Sequence, residues 1–136
     1  MVFDYELMFI DDKGSTQKNV SSGVLGSYVD LSGEGQGKGF PMLIAIAFTT
    51  DTTATADPEI QFALETADNV KFTKSTTIPL MFPLPLKKAE LTAGTVISCP
   101  LPLLGLKRYV RLKLGADSAI TCMGIKAGIV FDAPQG

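Results

Sequence analysis

Histidine and tryptophan are absent from this 136-residue sequence, and cysteine occurs only twice, at Cys99 and Cys122. Each absence removes a class of chemistry. Without histidine, the Ser–His–Asp and Cys–His arrangements that activate a nucleophile cannot be assembled. The two cysteines stand 23 positions apart with no histidine to join them, so a zinc-ligand set is missing and no metal or cofactor is expected. Both thiols read as small core residues, Cys99 because it precedes Pro100 and Cys122 because it lies in an alternating stretch.

Charge is scarce as well. Charged residues make up 19% of the chain, with 12 basic against 14 acidic and a net charge of -2. The basic residues are scattered, and the longest basic feature, "LKRYVRLKL" at 106–114, alternates like a strand with its charges on one side. Phosphate neutralisation supplies most nucleic-acid affinity and needs a concentrated basic face, so no nucleic-acid partner is expected. Nor is there an uncharged apolar run of ~18 residues, and no membrane partner is expected. The opening "MVFDYELMFI" carries two acids and no basic region. That points to synthesis in the cytoplasm with reduced thiols.

Carboxylates are the remaining catalytic candidates: Asp11 with Asp12, Asp57 with Glu59, and Glu65 with Asp68. Paired acids can carry glycosidase chemistry. These lie at strand ends or turns, where acids are ordinarily solvated turn-formers, and their spacing is not that of a calcium loop. The chain is expected not to be an enzyme.

Glycine is plentiful, and "SGEGQGKGF" at 32–40 surrounds Lys38 with glycines at every second position. A phosphate-binding loop of the Walker type needs four residues between its first glycine and the Gly-Lys pair, followed by Ser or Thr. Here three residues intervene and Gly39 follows Lys38. The stretch also runs into Phe40-Pro41 and an apolar strand instead of a helix, so residues 32–41 read as a flexible connector.

Hydrophobic period sets the fold class. A period of two sets Phe3, Tyr5, Leu7 and Phe9 against Asp4 and Glu6, and Ile60, Phe62 and Leu64 against Glu59, Gln61 and Glu65. It likewise sets Val110, Leu112 and Leu114 against Tyr109, Arg111 and Lys113, and Ile125, Ala127, Ile129 and Phe131 against Lys126 and Asp132. "MLIAIAF" at 42–48 is apolar throughout and predicts a strand covered on both faces. Further strands are expected at 28–31, 95–99 and 119–123. About eight antiparallel strands at intervals of ~8–12 residues predict an all-β sandwich, in a single domain over 1–136. Residues 1–10 form an N-terminal strand or arm. Pro79, Pro83, Pro85, Pro100 and Pro102 require loop or sheet edge, and the Pro-rich loop at 78–90 either caps the sandwich or forms an exposed apolar arm.

Several segments in order, "YVDLSGEG", "IQFALETADNVKF", "LTAGTVISCPLP", "LKRYVRLKL" and "ITCMGIKAGIVFD", give the chain a family likeness. It resembles the small capsid cement proteins of tailed bacteriophages, of the type found in Bordetella phage. The resemblance implies a jelly-roll-like β-sandwich on the outer surface of the virion head. Such a protein bridges neighbouring capsomers of the major capsid protein and stabilises the expanded shell, and self-association as a dimer or trimer would add avidity.

Three groups of residues are candidates for that contact. Phe3 and Tyr5 lie on the N-terminal strand, which could equally line the core. Phe82, Leu84 and Leu86, spaced by prolines, form a stiff apolar ridge. Arg108, Tyr109 and Arg111 combine residue types enriched at interface hot spots, or else make a solvated strand face. The alternative function is a carbohydrate- or peptide-binding β-sandwich, lectin-like or associated with a tail fibre. The lack of tryptophan and the presence of only three tyrosines count against it.

Overall fold

Two strands carry most of the architecture, β1 (Phe3–Asp30) and β6 (Tyr109–Phe131), paired antiparallel from Phe3↔Val130 to Asp30↔Tyr109. The computed structural model describes residues 3–31, 42–82, 86–102 and 105–131, and within these it leaves aside the side chains of 3–6, 11–13 and 131. Four shorter strands complete one antiparallel sheet: β2 (Met42–Phe48), β3 (Ile60–Ala67), β4 (Thr76–Pro79) and β5 (Val96–Pro100). Among the described residues the only helical element is a single 3-10 turn, Lys88–Glu90, and no helix is long and apolar enough to cross a membrane.

The sheet forks along β6. While β1 holds one edge, the other edge takes β3 over Tyr109–Ala116 and β2 over Ile125–Phe131. Between those stretches one isolated bridge, Thr53↔Cys122, marks the gap. The register of the long pair jumps there, from Val20↔Ile120 to Ser22↔Gly115, so β6 runs on relative to β1 and the ribbon bends.

Two leaves result. The first holds the N-terminal arm of β1, the C-terminal arm of β6, β2 and β5. The second holds the C-terminal arm of β1, the N-terminal arm of β6, β3 and β4. With the arms counted separately there are eight segments in two four-stranded leaves, which is the pairing scheme of a jelly roll. Gly26 serves this doubling back. Its φ is +71°, and a Cβ there would stand 2.1 Å from the carbonyl oxygen of Phe9 on the other arm.

The inward residues of both leaves form the core: Ile44, Ile46 and Phe48 from β2, Phe62 and Leu64 from β3, Val110, Leu112, Ile125 and Ile129 from β6. Burying each such side chain stabilises the fold by roughly 1.5–3 kcal/mol. Strand β2 is buried at all positions but Leu43, which is half-buried, as expected of an apolar strand with both faces covered. Among the described prolines, Pro79 and Pro100 fall on the outer strands β4 and β5. Phe48 N–H donates to Thr95 O and Leu101 N–H to Met42 O, both at 2.8 Å. The alternation of the ladder therefore turns Pro100, which has no N–H, toward the open edge of β5.

Several boundaries differ from the expectations. Residues 11–27 lack apolar alternation yet belong to β1, because β6 supplies partners over 15–18, 20 and 22–25. The strand expected at 28–31 is the end of β1, which stops at Asp30, and those expected at 109–114, 119–123 and 124–132 are, as far as Phe131, one continuous β6. The Pro-rich region overlaps an edge strand, β4, at its start and ends in the 3-10 turn Lys88–Glu90. The Gly-rich connector at 32–41 lies outside the described residues.

Candidate functional site

The outward positions of the second leaf bring together residues from four segments. Along β6 the inward side chains are Val110, Leu112 and Leu114, which leaves Tyr109, Arg111 and Lys113 on the outer face. Register sets Glu65 opposite Arg111, Ala63 opposite Lys113, and Asp30 opposite Tyr109. Tyr28 is 46% exposed and stands edge-on to Tyr109, with ring centroids 5.4 Å apart and planes at 89°.

Phe72 arrives from the turn between β3 and β4. Asn69 builds that turn, because its Oδ1 accepts the N–H groups of Lys71 at 3.1 Å and Thr73 at 3.2 Å. Phe72 sits there at φ 54°, a conformation that disfavours a bulky residue. Its ring comes 6.4 Å from that of Tyr28, and the Arg111 guanidinium lies 4.1 Å from its centroid.

Ion pairs lock this platform. Arg108 donates two hydrogen bonds to the Asp30 carboxylate, at 3.1 and 3.0 Å, and stands 5.0 Å from the Tyr109 ring. Arg111 Nε and Ser75 Oγ both donate to Glu65, each at 2.5 Å. Burial raises the Glu65 pKa, but the Ser75 hydroxyl, the Arg111 guanidinium and the Lys113 charge together outweigh it and hold the carboxyl below its ordinary value. Glu65 is therefore ionised at neutral pH and engaged by Arg111 and Ser75.

The fold also gathers charge that looks scattered along the chain. Segments 22–30, 60–79 and 105–116, which are the second leaf, its turn and the approach to β6, hold six basic and three acidic residues. The rest of the chain holds six basic and eleven acidic residues, so a leaf of net +3 belongs to a remainder of net -5. Such separation orients a protein toward an acidic surface. Both arginines are already paired, and Lys107 Nζ stands 4.0 Å from the Asp68 carboxylate.

The other sequence candidates are placed as follows. Phe3 and Tyr5 lie on β1, with side chains outside the described residues, while Leu7 and Phe9 of the same strand are in the core. Phe82 and Leu86 are half-buried against the core, Phe82 edge-on to Phe62 at 6.1 Å, so the core holds them on one side. Leu84 lies outside the described residues, and the large apolar side chain that the described part of this segment exposes is Met81, 81% accessible. Among the described candidates, Arg108, Tyr109 and Arg111 come together as one surface. Sequence reasoning missed Tyr28, Asp30, Glu65 and Phe72 as their partners. The Asx turn at "DNVKF" was the available signal for Phe72.

Elsewhere the chemistry is quiet. Burial pushes the Cys99 thiol up to about 11, against a smaller opposing effect from the Met81 backbone, so it is a protonated core group. A depression of about 370 Å³ between Asp51, Thr53, Lys88 and Thr92 is bridged by Lys88, whose ammonium donates to the carbonyls of Ala54 and Ala56, both at 2.8 Å. That lysine ties down the loop after β2. Among the described residues no group of three His, Cys, Asp or Glu side chains is placed to hold a metal ion.

No protein-family model matches the chain, and no curated protein matches it. Among solved structures there is a likeness to the Clostridium thermocellum N-terminal endo-1,4-beta-D-xylanase 10B CBM22-1–GH10 modules complexed with xylohexaose. The TM-score is 0.47 at 12% identity, over 98% of this chain and 28% of that one. This chain thus spans little more than a quarter of that protein's length, and the likeness is too slight to bear on what it does.

Proposed function

We propose that this chain is a structural virion protein, a capsid cement or decoration protein. It docks through the outer face of its second leaf on the major capsid protein of a phage head and bridges neighbouring capsomers. The observation that carries the reading is the concentration of Arg108, Tyr109, Tyr28 and a net positive charge on one open leaf of an otherwise acidic β-sandwich. Arginine and tyrosine are favoured at the buried centres of protein interfaces.

The rings favour a protein partner over a sugar. With Tyr28 and Tyr109 at 89° to one another, they offer no shared plane on which successive sugar rings could lie. Binding needs no catalytic step. A protein that binds the assembled shell and not its dissociated subunits stabilises assembly by mass action, and self-association would let one oligomer grip more than one capsomer.

The test is the copy number of this chain in purified particles, relative to the major capsid protein, by quantitative mass spectrometry. A near-stoichiometric ratio that is lost together with the heat resistance of the shell is the expected result. A few copies per particle would move the protein to the tail or portal. Absence from particles would overturn the reading in favour of the carbohydrate- or peptide-binding alternative.

A further inference from the structure

Beside the aromatic platform, the outer face of the second leaf carries a groove of about 220 Å³ lined by Gln61, Ala63, Thr77, Pro79, Lys113 and Gly115. Register explains its shape. Lys113, Ala63 and Pro79 lie side by side across β6, β3 and β4, and Gly115 lies opposite Gln61. The floor is therefore made of an alanine and a glycine, between longer walls.

Gly115 is the informative residue. Its backbone is not in the left-handed region, and a Cβ built on it meets nothing within 4 Å. The fold does not require glycine there, and a strand position ordinarily favours a β-branched residue. What the glycine provides is open space, as expected where another chain approaches closely.

The walls supply chemistry for that space. The side chains of Lys113, Gln61 and Thr77 make no hydrogen bond or ion pair with any described residue. Arg108 and Arg111 are engaged by Asp30 and Glu65, whereas the half-buried Lys113 acts on Glu65 only through its field. An ammonium, an amide and a hydroxyl around a small cavity match the several lone pairs of a carboxylate.

We propose that this groove is a receptor for an acidic side chain of the protein partner, with Lys113 as counter-charge and Gly115 as the space it enters. The proposal rests on the reading of this leaf as the docking face and names the chemistry that face selects. Charge complementarity specifies the occupant, since the leaf is net positive in a net acidic molecule.

The experiment is a titration of the isotope-labelled full chain, followed by amide NMR, with the capped peptides Gly-Glu-Gly and Gly-Gln-Gly. Saturable shifts at Gln61, Thr77 and Gly115 with the first peptide and not the second are expected. Gly115→Val should abolish them while the melting temperature holds or rises, and Lys113→Met should abolish them without filling the groove. Equal response to both peptides, or an intact response in both variants, would overturn the proposal. Binding of the same variants to expanded phage shells separates the two readings. Peptide binding without shell binding supports the groove and removes the capsid role. Equal shell binding by wild type and both variants removes the groove and leaves the capsid role.

Discussion

Gly128 and Gly115 lie on the same strand, each on the outward side of its leaf. At Gly128, in the first leaf, a Cβ would come within 2.5 Å of the Met8 sulfur and 3.2 Å of the Leu7 carbonyl, whereas at Gly115, in the second, it would meet nothing. The same residue type thus permits close packing in one leaf and leaves a surface open in the other. Ala45, Ala47, Gly128 and Val130 of the first leaf are buried although they point away from the core. On the second leaf the equivalent face carries Tyr28, Arg111 and Lys113. The outer face of the first leaf is largely buried along β2 and the C-terminal arm of β6, whereas that of the second leaf keeps these aromatic and charged side chains at least partly exposed.

The sharpest way to break this comparison is to place one charge on both outer faces. Ala45→Asp in the first leaf buries a carboxylate at a site that is 0% exposed, and Ala45→Asp with Lys126→Met removes the cation diagonal to it in the ladder. Urea unfolding should show a loss of about 3–5 kcal/mol, the usual cost of an uncompensated buried charge. Ala63→Asp, placed opposite Lys113 on the second leaf, should change stability by no more than about 1 kcal/mol. Equal losses would mean that the two faces are not differently solvated.

A smaller and more local contrast uses the glycines themselves. Gly128→Val must displace Met8 or the β1 backbone, and overpacking of that kind costs about 1–3 kcal/mol. Gly115→Val should leave the urea midpoint unchanged or raise it. If both variants lose stability alike, Gly115 is a requirement of the bend in β6 and not an open position.

How far the sequence foretold this division depends on where the pairing information lies. Strand β2 was legible to the residue, because seven apolar positions in a row leave no face for water. The inward sets of β3 and β6 were legible from period two. Residues 11–27 were not, since "DDKGSTQKNVSSGVLGS" has no alternation and becomes strand through its partner β6. The site divides in the same way. Arg108, Tyr109 and Arg111 adjoin in sequence and could be noticed together. Their partners Asp30, Glu65 and Phe72 come from separate segments, and the gathering of positive charge onto one leaf appears only when those segments are brought side by side.

Glu65 gives a pH-dependent handle on the second leaf. Its carboxyl titrates below the ordinary value of 4.5 in the folded protein, so its contribution to stability is fully present above that pH and is lost as pH falls through the folded value. Glu65→Gln should be less stable than wild type at pH 7 and should lose less stability on acidification below pH 4.5. Urea midpoints across that range decide it. Parallel pH profiles would show that the Arg111 and Ser75 contacts do not hold in solution.

Arg108 should have the smallest effect on folding and the clearest effect on docking. Its side chain is 53% exposed, and its pairing with Asp30 is solvated, a setting in which ion pairs add little to stability. Arg108→Ala should therefore leave the thermal unfolding curve in place. It should nonetheless weaken co-sedimentation with expanded shells, because at a desolvated interface the same guanidinium and the Tyr109 ring beside it exclude water together. Glu65→Gln at neutral pH is the control: it perturbs the buried half of the same leaf, so its effect should appear first in the melting curve. If Arg108→Ala instead lowers the melting temperature as much as Glu65→Gln does, the bidentate pair belongs to the fold, and the docking face must lie elsewhere on the molecule.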